Sequence, residues 1–401
     1  MKILVLGKGN TGSGINKFLN HMSIEHDFLN TNEIKNFNYD VVIKSPGISY
    51  QNEIIKKFKK SKIISDIEFI GGILNRDYIG VTGTNGKTTT VTLINNILSH
   101  KIKSIACGNI GFSFGEAALT NNSCFVCELS SFILAGVKKF HPKIAVILNM
   151  NRAHIDYHIN EDEYYKAKCN MLSNQNESEY LVYNGDDETI KKYIHGKAKK
   201  ISFGLKKDND YYYDGKYLRN KNKRVMRIKK DHLIYNKMAS IIVGLLYKIP
   251  RRIIRKEINK KINLSNRLEK LKKNIYNDAK STNPSSTINA LKQFKKNVIL
   301  LCGGIDRGED LNILKLELIK LKSVYAYGQT KIKIETFMKE HNIPCIISDT
   351  LDEALEKIKL DKNDILLFSP MMASWDQYKS YTERGSKFRE YIKKCSGKFY
   401  S

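Results

Sequence analysis

The segment GVTGTNGKTTT, Gly80 to Thr90, follows an apolar stretch (Tyr78, Ile79, Val81) and precedes VTLINNILSH, whose apolar spacing predicts an amphipathic helix. A strand, a glycine-rich turn and a helix N-terminus in that order make a phosphate cradle. Gly83 and Gly86 let backbone N–H groups approach a polyphosphate, Lys87 can reach its β- and γ-phosphates, and the Thr88 hydroxyl is a hard oxygen donor suited to Mg2+. The loop residues Gly83, Thr84, Asn85, Gly86, Lys87, Thr88 and Thr89 are therefore read as an ATP-binding element. A glycine-rich connector with a chance lysine is the alternative, and the strand–turn–helix context argues against it. One position departs from the common pattern: the glycine expected five residues before Gly86 is Val81. A variant loop of this kind marks a particular ATPase family outside the motor and GTPase mainstream.

At 401 residues the chain is long enough for two or three domains. Its hydrophobic content of 41% and charged content of 27% are those of an ordinary globular enzyme, and no apolar run is long enough to cross a membrane. MKILVLGKGN leads into glycines rather than a small-residue cleavage site, so it reads as a first strand and the chain is expected in the cytoplasm. Seven scattered cysteines make no disulfide framework. The close pair Cys124 and Cys127 would point to opposite faces of a strand, as core residues. The net charge of +27 invites a nucleic-acid reading, but lysine is abundant along the whole chain. The densest basic stretches, Lys216 to Lys230 and Arg251 to Lys261, are assigned to solvated faces.

Glycines and strand-like runs divide the chain into three α/β segments, so the fold class is α/β with three domains. The first, residues 1–77, is a Rossmann-like unit opening with KILVLGKGNTGSG, where Gly7, Gly9 and Gly12 stand between a strand and a helix. The acidic ribose partner expected some 20 residues on is not evident, because Asn30 and Thr31 hold that place; a UDP-sugar fits as well as NAD. The second, residues 78–264, is a P-loop ATPase-type parallel sheet domain with strands SCFVCEL, KIAVILNM and YLVYNGDD. Glu128, Asn149, His154 and Asp156 gather at its strand ends, and Lys168 lies in a helical stretch beyond. The third, residues 265–401, is a second Rossmann-like unit whose strand ends carry Asp278, Lys280, Thr282, Asp306, Arg307, Ser369 and Ser374.

Taken together, GTNGKTT, GNIG, ELSSF, the N-x4-H-x-D-x-H run from Asn149 to His158, Lys168, NRLE, DAKSTN and SPMMASWDQY resemble the Mur ligase family over nearly the whole chain. More narrowly they resemble its MurD branch, the UDP-N-acetylmuramoyl-L-alanine:D-glutamate ligases. The resemblance implies a cytoplasmic, monomeric, ATP-dependent amide ligase of peptidoglycan precursor synthesis, and so of cell shape and division. Its substrates would be UDP-N-acetylmuramoyl-L-alanine and D-glutamate, with Mg2+ as cofactor, in two ions, and no nucleic acid or membrane span. It implies Lys87, Glu128, His154, Lys168 and Lys280 as catalytic residues, with Thr88, Glu128, His154 and a Lys168 carbamylated by CO2 at the metal. Asn236, Arg267 and Asp278 match ATP contacts, and Gly7, Asn10, Thr11, Ser45, Pro46, Gly47, Asn109 and Ser130 match the UDP-substrate site. Thr282, Arg307, Ser374 and Tyr381 match positions that bind D-glutamate, with Arg307 where other members carry lysine. Two positions depart from the family pattern: Ala153 replaces an acidic residue, and Leu233 replaces an asparagine. The competing readings are another Mur ligase, a folylpolyglutamate synthase-like ligase, and a nucleic-acid-binding P-loop ATPase.

Overall fold

A computed structural model describes residues 1–153, 157–260, 265–306 and 308–394. Three sheets follow one another along the chain. The first holds β1 (Ile3–Leu6), β2 (Asp27–Leu29), β3 (Val41–Lys44) and β4 (Lys62–Ile64), all parallel, in the order β2-β1-β3-β4. The chain crosses from one side of β1 to the other between β2 and β3, so the carboxyl ends of β1 and β3 flank a topological switch point.

The second sheet has nine strands: β5 (Asp77–Thr82), β6 (Ser104–Gly108), β7 (Cys124–Glu128), β8 (Ile144–Ile147), β9 (Tyr180–Asn184), β10 (Lys199–Gly204), β11 (Tyr211–Tyr213), β12 (Tyr217–Asn220) and β13 (Lys223–Arg227). Their order is β13-β12-β11-β10-β9-β8-β5-β7-β6, which puts β5 between β7 and β8. The lysine-rich stretch after Tyr211 adds two antiparallel pairings to this parallel sheet, β11 with β12 and β12 with β13. Side chains alternate between two cores: Phe125 and Cys127 enter one, Cys124 and Val126 the other. The pair of cysteines is thus core packing on opposite faces, as the strand period requires.

The third sheet holds β14 (Glu269–Lys272), β15 (Ile275–Asn277), β16 (Val298–Gly303), β17 (Leu321–Tyr327), β18 (Cys345–Ser348) and β19 (Ile365–Met371) in the order β14-β15-β19-β16-β17-β18. Only β14 pairs antiparallel. Contacts within the chain form two compact units, Met1–Lys260 and Lys261–Ser401.

In the first unit the first two sheets share an intimate boundary. Helix Asn10–His21 meets helix Phe114–Ala118 at glycines: a Cβ on Gly14 would lie 1.9 Å from Ser113 Oγ, and one on Gly115 would lie 2.2 Å from the Gly14 carbonyl oxygen. The buried Glu68 carboxylate accepts backbone N–H groups of Lys138, Lys139 and Phe140 at 2.8 to 3.0 Å. Among the described residues no helix is long and apolar enough to cross a membrane.

Candidate functional site

The phosphate cradle follows the carboxyl end of β5, with helix Lys87–Leu98 behind it. Gly83 and Gly86 have φ of 145° and 85°, a backbone region that a side chain would strain. A Cβ on Gly86 would also come within 2.5 Å of Asn236 Nδ2, which donates to the Gly86 carbonyl at 3.0 Å and to Thr90 Oγ1 at 2.9 Å. Asn236 therefore braces the loop from the first turn of helix Ile234–Leu246. On the other side Asn149, just beyond β8, accepts the Asn85 N–H at 2.8 Å and donates to the Asn85 carbonyl at 3.0 Å. Lys87 Nζ curls back onto the carbonyls of Gly83 and Thr84, at 2.7 and 2.9 Å.

The oxygen donors predicted for Mg2+ meet beneath this loop. Thr88 Oγ1 donates to Glu128 Oε2 at 2.7 Å, both side chains buried, and Asn109 Nδ2 donates to Glu128 Oε1 at 3.3 Å. The strand order brings them together, because Glu128 ends β7, the neighbour of β5. A buried hydroxyl–carboxylate pair of hard oxygens fits Mg2+. Among the described residues no group of three or more His, Cys, Asp or Glu side chains is placed to hold a metal ion. His154 lies outside the described residues.

Lys168 is not an exposed helix lysine among many. It is 1% exposed on helix Glu161–Cys169, its Nζ sits 4.3 Å from the centre of the Tyr164 ring, and burial pushes its amine down to about 7. The Tyr164 hydroxyl in turn lies 3.1 Å from Thr84 Oγ1, so this helix touches the cradle. Buried His158 packs edge-on to Tyr164 with ring centres 5.4 Å apart, and its Nε2 is 3.0 Å from Ser131 Oγ. Burial, with the charge of Lys168 adding, holds its imidazole down at about 4 and so neutral. Ser130 caps helix Ser131–Leu134, its hydroxyl accepting the Ile133 N–H.

At the first sheet's switch point Gly7, with φ of 100°, turns away from β1, and Ser45 Oγ beyond β3 donates to its carbonyl at 3.1 Å. Gly12 is required by close approach: a Cβ there would lie 1.8 Å from the Gly7 carbonyl oxygen. Asn10 and Thr11 stand in the first turn of the helix that follows. The strand-end position where an acid was missing is filled jointly. Asn30 Oδ1 accepts the Lys8 N–H at 2.9 Å while Glu33 pairs with Lys8 Nζ at 2.7 Å. The Ser45-Pro46-Gly47 turn is stapled from below by buried Lys44, whose Nζ donates to the Ser45 and Ile48 carbonyls and, at 3.1 Å, to the Tyr157 hydroxyl. Glu33 and Lys44 escaped sequence reasoning because a charged residue in a strand or turn carries no local signal of what it will hold.

In the second unit Asp278 follows β15, fully buried. It accepts Ser281 Oγ at 2.6 Å, Ser369 Oγ at 2.8 Å and the Leu268 N–H at 3.1 Å, and burial pushes its carboxyl up to about 6 while these bonds and the Arg267 charge pull it back. Lys280 Nζ lies 5.5 Å from the centre of the Tyr381 ring, which brings two predicted residues together. Thr282 follows β15, Ser374 follows β19, and Met371 at the end of β19 adopts a φ of 63°, an uncommon value for a bulky side chain and one that gathers at functional sites. Arg307 lies outside the described residues. A residue with no sequence signature organises these strand ends: Arg384, wholly buried, donates to the carbonyls of Ala279, Gly303, Met372 and Ala373 at 3.0 to 3.3 Å. Those carbonyls follow or end β15, β16 and β19.

Residues 81–244 match the family model described as the Mur ligase middle domain. The chain is 36% identical to UDP-N-acetylmuramoylalanine--D-glutamate ligase of Oceanobacillus iheyensis, over 87% of this chain and 82% of that one. Its fold is that of UDP-N-acetylmuramate-alanine ligase MurC from Thermotoga maritima, with a TM-score of 0.67 at 18% identity over 99% of this chain and 100% of that one. It is also that of MurF ligase from Thermotoga maritima in complex with ADP, with a TM-score of 0.60 at 18% identity over 98% and 95% of the two chains. Strand order and sequence similarity over most of the chain converge: this chain is a member of the Mur ligase family, an ATP-dependent ligase.

Proposed function

We propose that the protein joins D-glutamate to UDP-N-acetylmuramoyl-L-alanine through an acyl phosphate, as a cytoplasmic monomer. The observation that carries the chemistry is the buried 2.7 Å contact between Thr88 and Glu128 beneath the phosphate loop. The 36% identity to a relative named for this reaction supports the choice of amino acid. A carboxylate oxygen of the UDP-substrate attacks the γ-phosphorus of ATP and the bond to ADP breaks. The neutral amine of D-glutamate then attacks the acyl carbon and loses one proton, and phosphate leaves from the tetrahedral intermediate. Two anions must approach in the first step, and the charge of Lys87 would offset that of the transferring phosphoryl group. Mg2+, in two ions, would be held by Thr88, Glu128, His154 and Lys168, and when bound it would neutralise phosphate charge. Lys168 reaches that role as a carbamate: its amine attacks CO2 and loses a proton, and burial supports this by lowering the amine to about 7, so that a substantial share is uncharged and nucleophilic near neutral pH.

Residues 1–77 would bind the UDP-substrate, through Gly7, Asn10, Thr11 and the Ser45 turn, aided by Asn109 and Ser130 of the central segment. Residues 78–264 would bind the ATP phosphates. Residues 265–401 would bind D-glutamate through Thr282, Arg307, Ser374 and Tyr381, and part of ATP through Arg267 and Asp278, with Lys280 nearby. The test is phosphate release from ATP with UDP-N-acetylmuramoyl-L-alanine present and D-glutamate added or withheld. Turnover that requires both supports the reading. Turnover with a folate substrate, with another UDP-peptide, or only with nucleic acid overturns it.

A further inference from the structure

The two densest basic runs, read from sequence as separate solvated faces, meet in the fold. β13 is an edge of the central sheet, and helix Arg251–Asn259 packs beside it with Ile254 and Ile258 in the core. Between them lies an open surface cavity of about 570 Å3 lined by the exposed Arg224 and Arg227 of β13, Tyr217 of β12, and the exposed Arg251, Arg252 and Arg255 of the helix. That volume is the size of small-molecule sites.

Its composition sets it apart. The chain has 56 lysines but only 12 arginines, and five of the twelve line this one cavity, which among the described residues has no lysine in its wall. A general drift toward lysine would have built a basic patch from lysine. Guanidinium differs in presenting a planar fork of N–H donors that matches pairs of phosphate oxygens. Among the described residues none of the five forms an ion pair with a carboxylate, whereas Arg219 and Arg389 are paired with Asp214 and Glu269. Five like charges around one hollow repel one another, and a bound anion removes that repulsion. No acidic residue stands in the first turn of the helix to offset Arg251 and Arg252.

The cavity is not an annex of the phosphate cradle. Helix Ile234–Leu246 separates them: Asn236, near its start, holds Gly86, while Gly244, near its end, packs against Ile254 of the arginine helix. A helix of 13 residues spans about 20 Å. We propose that this cavity is a second anion site, which binds a small ligand carrying two or more linked phosphate groups, either inorganic polyphosphate or the phosphate chain of a nucleotide. The site is independent of which amino acid the enzyme adds.

Isothermal titration of the full chain with inorganic tripolyphosphate and, separately, with GTP tests it. Both are titrated into Lys87→Ala, in which the catalytic cradle is weakened, and into Lys87→Ala with Arg224→Ala, Arg252→Ala or Arg252→Lys added. One saturable site is expected, weakened about ten-fold or more by each added change, lysine included, because one charge-assisted fork is lost. Equal binding of the two probes identifies the phosphate chain as the feature read; tighter GTP binding identifies a nucleotide. Circular dichroism should show all the variants folded. Tripolyphosphate binding that is unchanged by the arginine substitutions overturns the proposal. So does binding of a single-stranded oligonucleotide alone, with affinity falling steeply in salt.

Discussion

Replacing Lys168 with methionine should make the protein more stable and inactive. The ammonium group is 1% exposed, has no carboxylate partner among the described residues, and is met by the Tyr164 ring at 4.3 Å. Its amine falls from an ordinary 10.5 to about 7 in the folded chain, a difference equivalent to roughly 5 kcal/mol of unfavourable burial at low pH. Methionine has a similar length and needs no solvation, but it gives up a cation–π contact of about 1 to 2 kcal/mol in compensation. A net gain of about 3 kcal/mol is therefore expected at pH 6 to 7, read from urea unfolding in CO2-free buffer. The pH dependence fixes the cause. Between about pH 7 and 10.5 the unfolded lysine binds a proton that the folded one has lost, so wild-type stability rises with pH in that window. Wild type should gain about 2 kcal/mol on Lys168→Met between pH 7 and 9. If Lys168→Met is the less stable protein at pH 6 to 7, or the gap stays constant to pH 9, the amine is not an uncompensated buried charge. For activity, Lys168→Ala should lose most turnover and recover part of it with acetate or formate at high concentration, since a small carboxylate replaces the carbamate oxygens; full activity without added carboxylate refutes the carbamate role.

Lys87→Ala should reduce turnover on the order of 100-fold or more and should not respond to acetate, because a cation is missing rather than an oxygen ligand; steady-state phosphate release checks this. Arg307→Ala should raise the KM for D-glutamate far more than that for ATP, and equal effects would remove Arg307 from the amino-acid site. Gly12→Ala must displace the Gly7 carbonyl, 1.8 Å from the new methyl, so the KM for the UDP-substrate should rise about ten-fold or more while that for ATP holds. Arg384→Met removes four N–H donors from buried carbonyls of three strand ends, and a loss of about 3 kcal/mol in urea unfolding is expected; an unchanged midpoint would show those carbonyls to be satisfied otherwise.

What could be read early was local chemistry with fixed spacing. The glycines of GTNGKTT must stand where the backbone turns left-handed, so Gly83 and Gly86 declare the loop without help from the rest of the chain. The parallel strands were legible for a similar reason: strands buried on both faces are short apolar runs, and those ending at Glu128 and Met371 have that form. Lys168 was placed in the site only through resemblance. Nothing in EDEYYKAKCN distinguishes its two lysines, yet Lys166 pairs with Asp162 in solvent and Lys168 is buried against Tyr164.

By itself, then, the sequence determined the phosphate loop, the glycine turns of the first segment and the alternation of strands with helices, because each depends on residues within about one turn or one strand of each other. Tertiary structure alone decided which strand ends would be neighbours. Placing β5 beside β7 brings Glu128 to Thr88 across 40 residues of chain, and Arg384 reaches Ala279 across 105. Helix packing on an edge strand likewise turns two charge runs into one arginine-lined cavity. Side-chain chemistry is local, but the proximity that converts it into a site is set by strand order and packing, which no short window of sequence contains.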